Sequence, residues 1–293
     1  MRLAVPALAA ALLLAPAPAS AQADPGMVVT PAWLAARARD PQVVVLHVAS
    51  DSSFAAGHVP GAQRMPYNAI TARVGNVGTE LPPPEALREA FEALGVGDST
   101  RVVVYGDEAP MATRVLFTLD HLGHTRFALL DGGLAGWRAA GHAVETGPSA
   151  AVAARARLTP RPRDVVVTSD WLEPRLGKAG LSLLDTRTDV EYLGTGERYG
   201  VRSNGHLAGA RQLQWEQLFQ ADRATLRPRE ELAALFAERV RPGDTVVTYC
   251  LVGYRASATY FVARLLGHPV KLYDGSYQDW SAKALALRPG AAP

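Results

Sequence analysis

The chain repeats itself. "GHVPGA" (57–62) returns as "GHLAGA" (205–210), "RVVVYG" (101–106) as "TVVTYC" (245–250), and "DGGLAGW" (131–137) as "DGSYQDW" (274–280). The interval from Gly106 to Gly123 equals that from Cys250 to Gly267, and Asp131 to Trp137 equals Asp274 to Trp280. Motifs shared in one order at matched spacings indicate a folding unit used twice. We place the two domains at 27–145 and 161–288. Between them the stretch "TGPSAAVAARARLTPRPR" is rich in Ala, Pro and Arg, and residues 146–160 read as a linker.

Each half alternates strands and helices. "PQVVVLHV" and "LSLLDT" have the look of short buried strands, and "RVVVYG" and "TVVTYC" are near-continuous β-branched runs. Such runs suit central parallel strands covered on both faces. Helical patterns follow in "EALREAFEALG", "REELAALFAERV" and "ATYFVARLLG", the last with Gly267 as a C-cap. The expected class is α/β: two tandem domains, each a parallel sheet with helices on both faces.

The N-terminus reads as a secretory signal peptide over residues 1–21. Arg2 gives a positive start, Leu3 to Leu14 form a short apolar run, and Ala19-Ser20-Ala21 is a small-x-small cleavage pattern. The run is too short to span a bilayer. The mature chain is therefore expected to be periplasmic or secreted, with no membrane association after signal removal. Its net charge of +2 comes without any Lys/Arg block, which argues against a nucleic-acid partner.

Export makes the cysteine count informative. Exported proteins use paired cysteines as staples, and this chain has a single cysteine, which cannot pair within itself. Cys250 is either an apolar filler or a reactive thiol. It ends a central strand, and a helix begins a few residues later. The loop Cys250-Leu251-Val252-Gly253-Tyr254-Arg255 thus lies at the carboxyl end of a parallel strand, where open α/β sheets bind ligands. Such a loop can turn successive backbone N–H groups inward as an anion nest at a helix N-terminus. Gly253 permits the backbone angles required. A thiol placed there is expected to have a lowered pKa, with Arg255 adding positive charge at the rim. The first domain has Gly106 at this position, followed by "DEAPMA", so packing does not demand a cysteine here.

With these residues in view, the chain resembles the two-domain rhodaneses, sulfurtransferases of the thiosulfate or 3-mercaptopyruvate type. The likeness covers essentially the whole mature chain. It rests on the duplicated Gly-His-x-x-Gly-Ala, "LLDTR" at 183–187, the six-residue cysteine loop and the Asp-Gly-x…Trp near each domain end. The resemblance implies a non-catalytic first domain and a catalytic second one. It implies that the Cys250 thiolate takes the outer sulfur of a small anionic donor and passes it on. The acceptor would be cyanide or a thiol, a protein thiol included. No organic cofactor and no metal are implied, and the histidines show no metal-ligand spacing.

Further polar residues cluster in the second domain. Asp185 and Arg187 end the "LSLLDTR" strand, where the first domain has His47 and Ala49. Arg187 either braces the loop or touches substrate. Family members often carry a donor-binding arginine four residues later, whereas this chain has Glu191, a carboxylate that disfavours an anion unless a cation pairs with it. The second domain also carries an extra segment, "GTGERYGVRSN" (194–204), whose Arg198 and Arg202 either replace that charge or lie on a solvated loop. "CLVGYR" matches neither the basic loop of thiosulfate-type members nor the Gly-Ser-Gly-Val-Thr loop of mercaptopyruvate-type members. Leu251 and Val252 make the loop mouth apolar, which suits a bulkier donor, a thiol acceptor or a protein partner. His58 and His206, and likewise Trp137 and Trp280, recur in both halves and read as structural.

Two other functions compete. A phosphatase of a related fold would need Cys-x5-Arg, one residue more than Cys250 to Arg255 supplies. A non-catalytic sulfur carrier or binding protein is compatible with Glu191 and the atypical loop.

Overall fold

The computed structural model describes residues 26–149, 156–196, 201, 204–283 and 287–288. The signal-peptide reading at 1–21, part of the linker, and Arg198 and Arg202 lie outside the described residues.

Each half builds a five-stranded parallel sheet. In the first, the spatial order is Val28–Val29, Phe127–Leu130, Arg101–Gly106, Val43–Val48, Gln63–Met65. In the second, it is Val166–Val167, Val270–Tyr273, Thr245–Tyr249, Leu181–Asp185, Arg211–Gln212. The two β-branched runs are the central strands of both sheets. Alternate residues of the first run feed different clusters: Val102 and Val104 pack on one face, Val103 and Tyr105 on the other. A period-two chain buried on both sides must read as a continuous apolar run.

The helix after each central strand carries the two halves together. Ala109–His121 packs against Ala256–Leu266, whose C-cap is Gly267 at φ +92. Thr113 Oγ1 and Ser257 Oγ, equivalent positions in the repeat, hydrogen-bond to each other at 2.9 Å in the buried seam. The anchors across the seam are reciprocal. Asp274 accepts the Leu81 N–H at 2.7 Å, and Asp131, its repeat partner, accepts the Leu226 N–H at 2.9 Å. The seam contacts are therefore reciprocal: each domain lays a backbone N–H on the aspartate that follows the Phe127–Leu130 or Val270–Tyr273 strand of the other.

The Pro-rich connection is less free than its composition suggests. Leu158 is buried, the Leu158 N–H donates to Glu92, and Thr159 donates twice to Asp98. Its second half is a strap on the first domain, because backbone groups flanking a buried leucine must find partners.

Candidate active site

Cys250 follows the last residue of the central strand, and the next helix starts at Ala256. Cys250 is fully buried, as a filler would be, beside Phe117, Val165, Ala256, Tyr260 and Leu272. Its surroundings are not those of a filler. The carbonyls of the loop are tied down: Cys250 O accepts from Tyr277 N and Leu251 O from Gln278 N, both at 3.0 Å, and Val252 O accepts from Thr79 Oγ1 at 2.5 Å. The N–H groups of Leu251 through Ala256 donate to no acceptor among the described residues. Six successive amides without protein partners lead into a helix N-terminus, an arrangement able to bind an anion.

Gly253 is required at the apex of this loop. Its φ is +80, and a Cβ there would lie 2.8 Å from both Asp274 O and Asp274 Oδ1. Asp274 is held by Arg114 Nη1 at 2.6 Å, and Arg114 Nη2 donates to Thr79 O at 2.7 Å. Both partners of this ion pair are almost fully buried. Removing one member of such a pair typically costs about 3–5 kcal/mol. Tyr254 donates to Glu108 Oε2 at 2.7 Å, and the Tyr67 ring meets Tyr254 edge-on at 5.6 Å. Tyr67 Oη is buried with no hydrogen-bond partner among the described residues. Burial raises its pKa to about 12, against the opposing pull of the nearby Arg114 charge. Arg114, Thr79, Glu108 and Tyr67 all belong to the first domain.

Ser276 completes the frame. Its Oγ accepts the Cys250 N–H at 3.2 Å and donates to Tyr273 O at 2.8 Å. It does so at φ +52, a left-handed conformation that costs a serine about 1–2 kcal/mol. The repeat partner, Gly133, has φ +54 at no such cost. A strained residue retained beside a reactive position is the pattern expected where geometry serves function.

The charged candidates pair with one another. Arg187 is buried and donates to both oxygens of Asp185 and to Gly205 O, with its guanidinium 3.8 Å from the Tyr277 ring centroid. Asp185 also accepts from Tyr249 Oη at 2.6 Å. Arg187 is thus a brace, and it lines a cavity of about 410 Å³ beside Leu251 as well. Arg255 is not the free rim charge expected from the sequence: its two terminal nitrogens grip Glu191 at 2.6 and 2.8 Å. Glu191 is held by Thr188 in a capping box. Burial alone would raise the Glu191 pKa, but the Arg255 contacts outweigh it and hold the carboxyl down at about 2. The cation that a carboxylate needs in this place is Arg255 itself.

The repeated histidines do one job twice. His58 Nδ1 meets Phe54 O and stacks on Phe54, and His206 Nδ1 meets Tyr192 O and stacks on Tyr192. Trp137 and Trp280 are both core residues. Among the described residues no cluster of His, Cys, Asp or Glu has metal-binding geometry.

A family model for the rhodanese-like domain matches twice, at residues 30–140 and 168–283. The chain belongs to the rhodanese-like family. A protein named thiosulfate sulfurtransferase from Azotobacter vinelandii is 33% identical over 87% of this chain and 93% of its own length. A protein of Thermus thermophilus named sulfur carrier protein TtuD is 29% identical over 88% of this chain and 94% of its own. The crystal structure of YnjE superposes with a TM-score of 0.80 at 26% identity, covering 90% of this chain and 68% of that one. Two rhodanese-like matches account for the duplicated sheets.

Sequence reasoning missed Tyr67, Thr79, Glu108, Arg114 and Ser276. For Ser276 a signal existed, since aligning the repeats sets it against Gly133 in a glycine-rich turn. The other four reach the loop from the opposite domain, and no local pattern marks them.

Proposed function

We propose that Cys250 is the nucleophile of a sulfurtransferase, with the loop Leu251, Val252, Gly253, Tyr254 and Arg255 as its binding frame. The Cys250 thiolate attacks the outer sulfur of thiosulfate or a related donor. The donor S–S bond breaks and its electron pair leaves on sulfite, so that Cys250 holds a persulfide. A thiophilic acceptor, cyanide or a thiol, then attacks the outer sulfur and regenerates the thiolate. The loop amides stabilise the negative charge carried by the persulfide, because they are already oriented and need not reorganise. Asp185 and Arg187 position the loop through Tyr249 and Tyr277.

The observation that carries this reading is the run of unpartnered amides around the chain's one cysteine. A separate contact disfavours the phosphatase reading: Arg255 is committed to Glu191 rather than free to grip phosphate. A carrier role is the second reading, favoured by the buried thiol and by the relative named as a sulfur carrier. Export to the periplasm belongs to the proposal too, on the strength of Arg2, the Leu3–Leu14 run and Ala19-Ser20-Ala21.

Intact mass of the protein after thiosulfate, then after cyanide, tests it. The expected result is a gain of one sulfur that cyanide removes as thiocyanate, absent in Cys250→Ser. A carrier would take up the sulfur once and turn over slowly with cyanide. No gain with thiosulfate or mercaptopyruvate would remove the small-donor enzyme.

A further inference from the structure

Resting on that sulfur-transfer reading, we propose that the cavity beside the Cys250 loop selects a donor with an organic body and a single negative charge, and that Glu191 enforces the choice by neutralising Arg255.

Charge is the first argument. Among the described residues, each guanidinium near the loop already has a carboxylate: Arg114 has Asp274, Arg187 has Asp185, and Arg255 has Glu191. Among the described residues, a compact dianion entering this site meets the N–H array of the loop but no guanidinium without a carboxylate partner. It also approaches the Glu191 carboxylate, which is kept ionised by its partner. Recognition by repelling the wrong ligand is as effective as attraction of the right one.

Shape is the second argument. Val190, Val201, Leu251 and Tyr277 give the cavity of about 410 Å³ its apolar walls, and Arg187 and Glu191 are among its polar lining residues. That volume falls in the range of roughly 300–1,000 Å³ typical of sites for organic ligands. Val190 is one of only two large hydrophobics exposed among the described residues, and it stands on the cavity wall. Leu251, the residue that follows Cys250, lines the cavity as well. Arg187 contributes direction without net charge: Nε and Nη2 are spent on Asp185 and Gly205, while Nη1 has no acceptor among the described residues. One polar head against Arg187 and an apolar body against Val190 and Leu251 satisfy this lining.

An organic thiosulfonate has these properties. The Cys250 thiolate attacks the outer sulfur of R–SO2–S⁻, and the donor S–S bond breaks. Its electron pair leaves on the sulfinate R–SO2⁻, and Cys250 holds Cys–S–S⁻. Charge and atoms balance, and no external oxidant or reductant enters.

The test compares benzenethiosulfonate with thiosulfate, cyanide being the acceptor and thiocyanate the readout, with the Cys250→Ser rate subtracted. Wild type is expected to favour benzenethiosulfonate in kcat/KM by about tenfold or more. Glu191→Gln, which keeps the cap but frees Arg255, is expected to raise thiosulfate kcat/KM about fivefold and so narrow the ratio. Val190→Ser is expected to narrow it about threefold from the other side, by weakening the organic donor. A wild type that prefers thiosulfate, or a ratio that neither variant moves, overturns the proposal while leaving sulfur transfer intact. Absence of thiocyanate and of a Cys250 persulfide with both donors overturns the sulfur-transfer reading and this one with it.

Discussion

Two loops leave equivalent strands in the two halves, and only one carries a thiol. At Gly106 the chain enters its helix almost at once, at Ala109; at Cys250 it waits until Ala256. The repeat spacing conceals this, because both helices end at matched glycines. Consequently Ala109 and Met111, set against Gly253 and Arg255 by counting, are helical residues and not loop residues. A Cβ at Gly106 would lie 2.9 Å from Glu108 O and 3.0 Å from Met111 Cβ. The first domain lacks more than a sulfur: it lacks the path of backbone that leaves amides unpartnered. What its Glu108 does instead is hold Tyr254 of the other loop.

The largest expected effect breaks the comparison outright. Cys250→Ser abolishes persulfide formation, and adding Gly106→Cys restores none, as intact mass would show; a regained sulfur at position 106 would mean the residue alone had been missing. Next comes Gly253→Ala. The left-handed φ and the approach to Asp274 force the loop to move, and misplacement of this kind lowers kcat by about a hundredfold. Single-turnover sulfur transfer measures it. Ser276→Gly is subtler and sharpens the contrast with Gly133. Relief of strain offsets a lost hydrogen bond, so stability in urea changes by less than about 1 kcal/mol, while transfer slows about threefold to tenfold.

The smallest effect is a pH slope. The Glu191 carboxyl sits at about 2 against an ordinary 4.5, so between those values the unfolded chain binds the proton more readily than the folded one and stability rises with pH. The contribution is full above pH 4.5 and disappears as pH falls toward 2. Melting curves between those limits should fall more steeply for wild type than for Glu191→Gln.

Much of the fold was legible because duplication prints each signal twice. The β-branched runs, the Gly267 cap and the paired histidines are local or repeated features, and local physics produces them. Cys250, Gly253, Asp185 and Arg187 stood out because the first domain lacks them or replaces them. The contacts of Arg255 with Glu191 were not legible, since a loop and a helix far apart in sequence must meet before the pair exists. The same holds for Tyr67 and Arg114, whose partners lie across the domain seam. Composition suggested a loose linker, but buried Leu158 and the Asp98 carboxylate, invisible to a count of prolines, pin it.

The reciprocal anchoring of Asp274 by Leu81 and of Asp131 by Leu226 has a consequence for tolerance to change. Each half supplies a cover for the other's strand end, yet only one of the two covered places contains a thiol. Mutational drift in the cover near Leu226 falls where there is no thiol, and its expected effect is on stability. Drift in the cover near Thr79 and Leu81 falls on the working loop and is felt as rate. One reciprocal framework thus carries two unequal demands, and the half that lacks the cysteine is the half whose cover bears on the Cys250 loop.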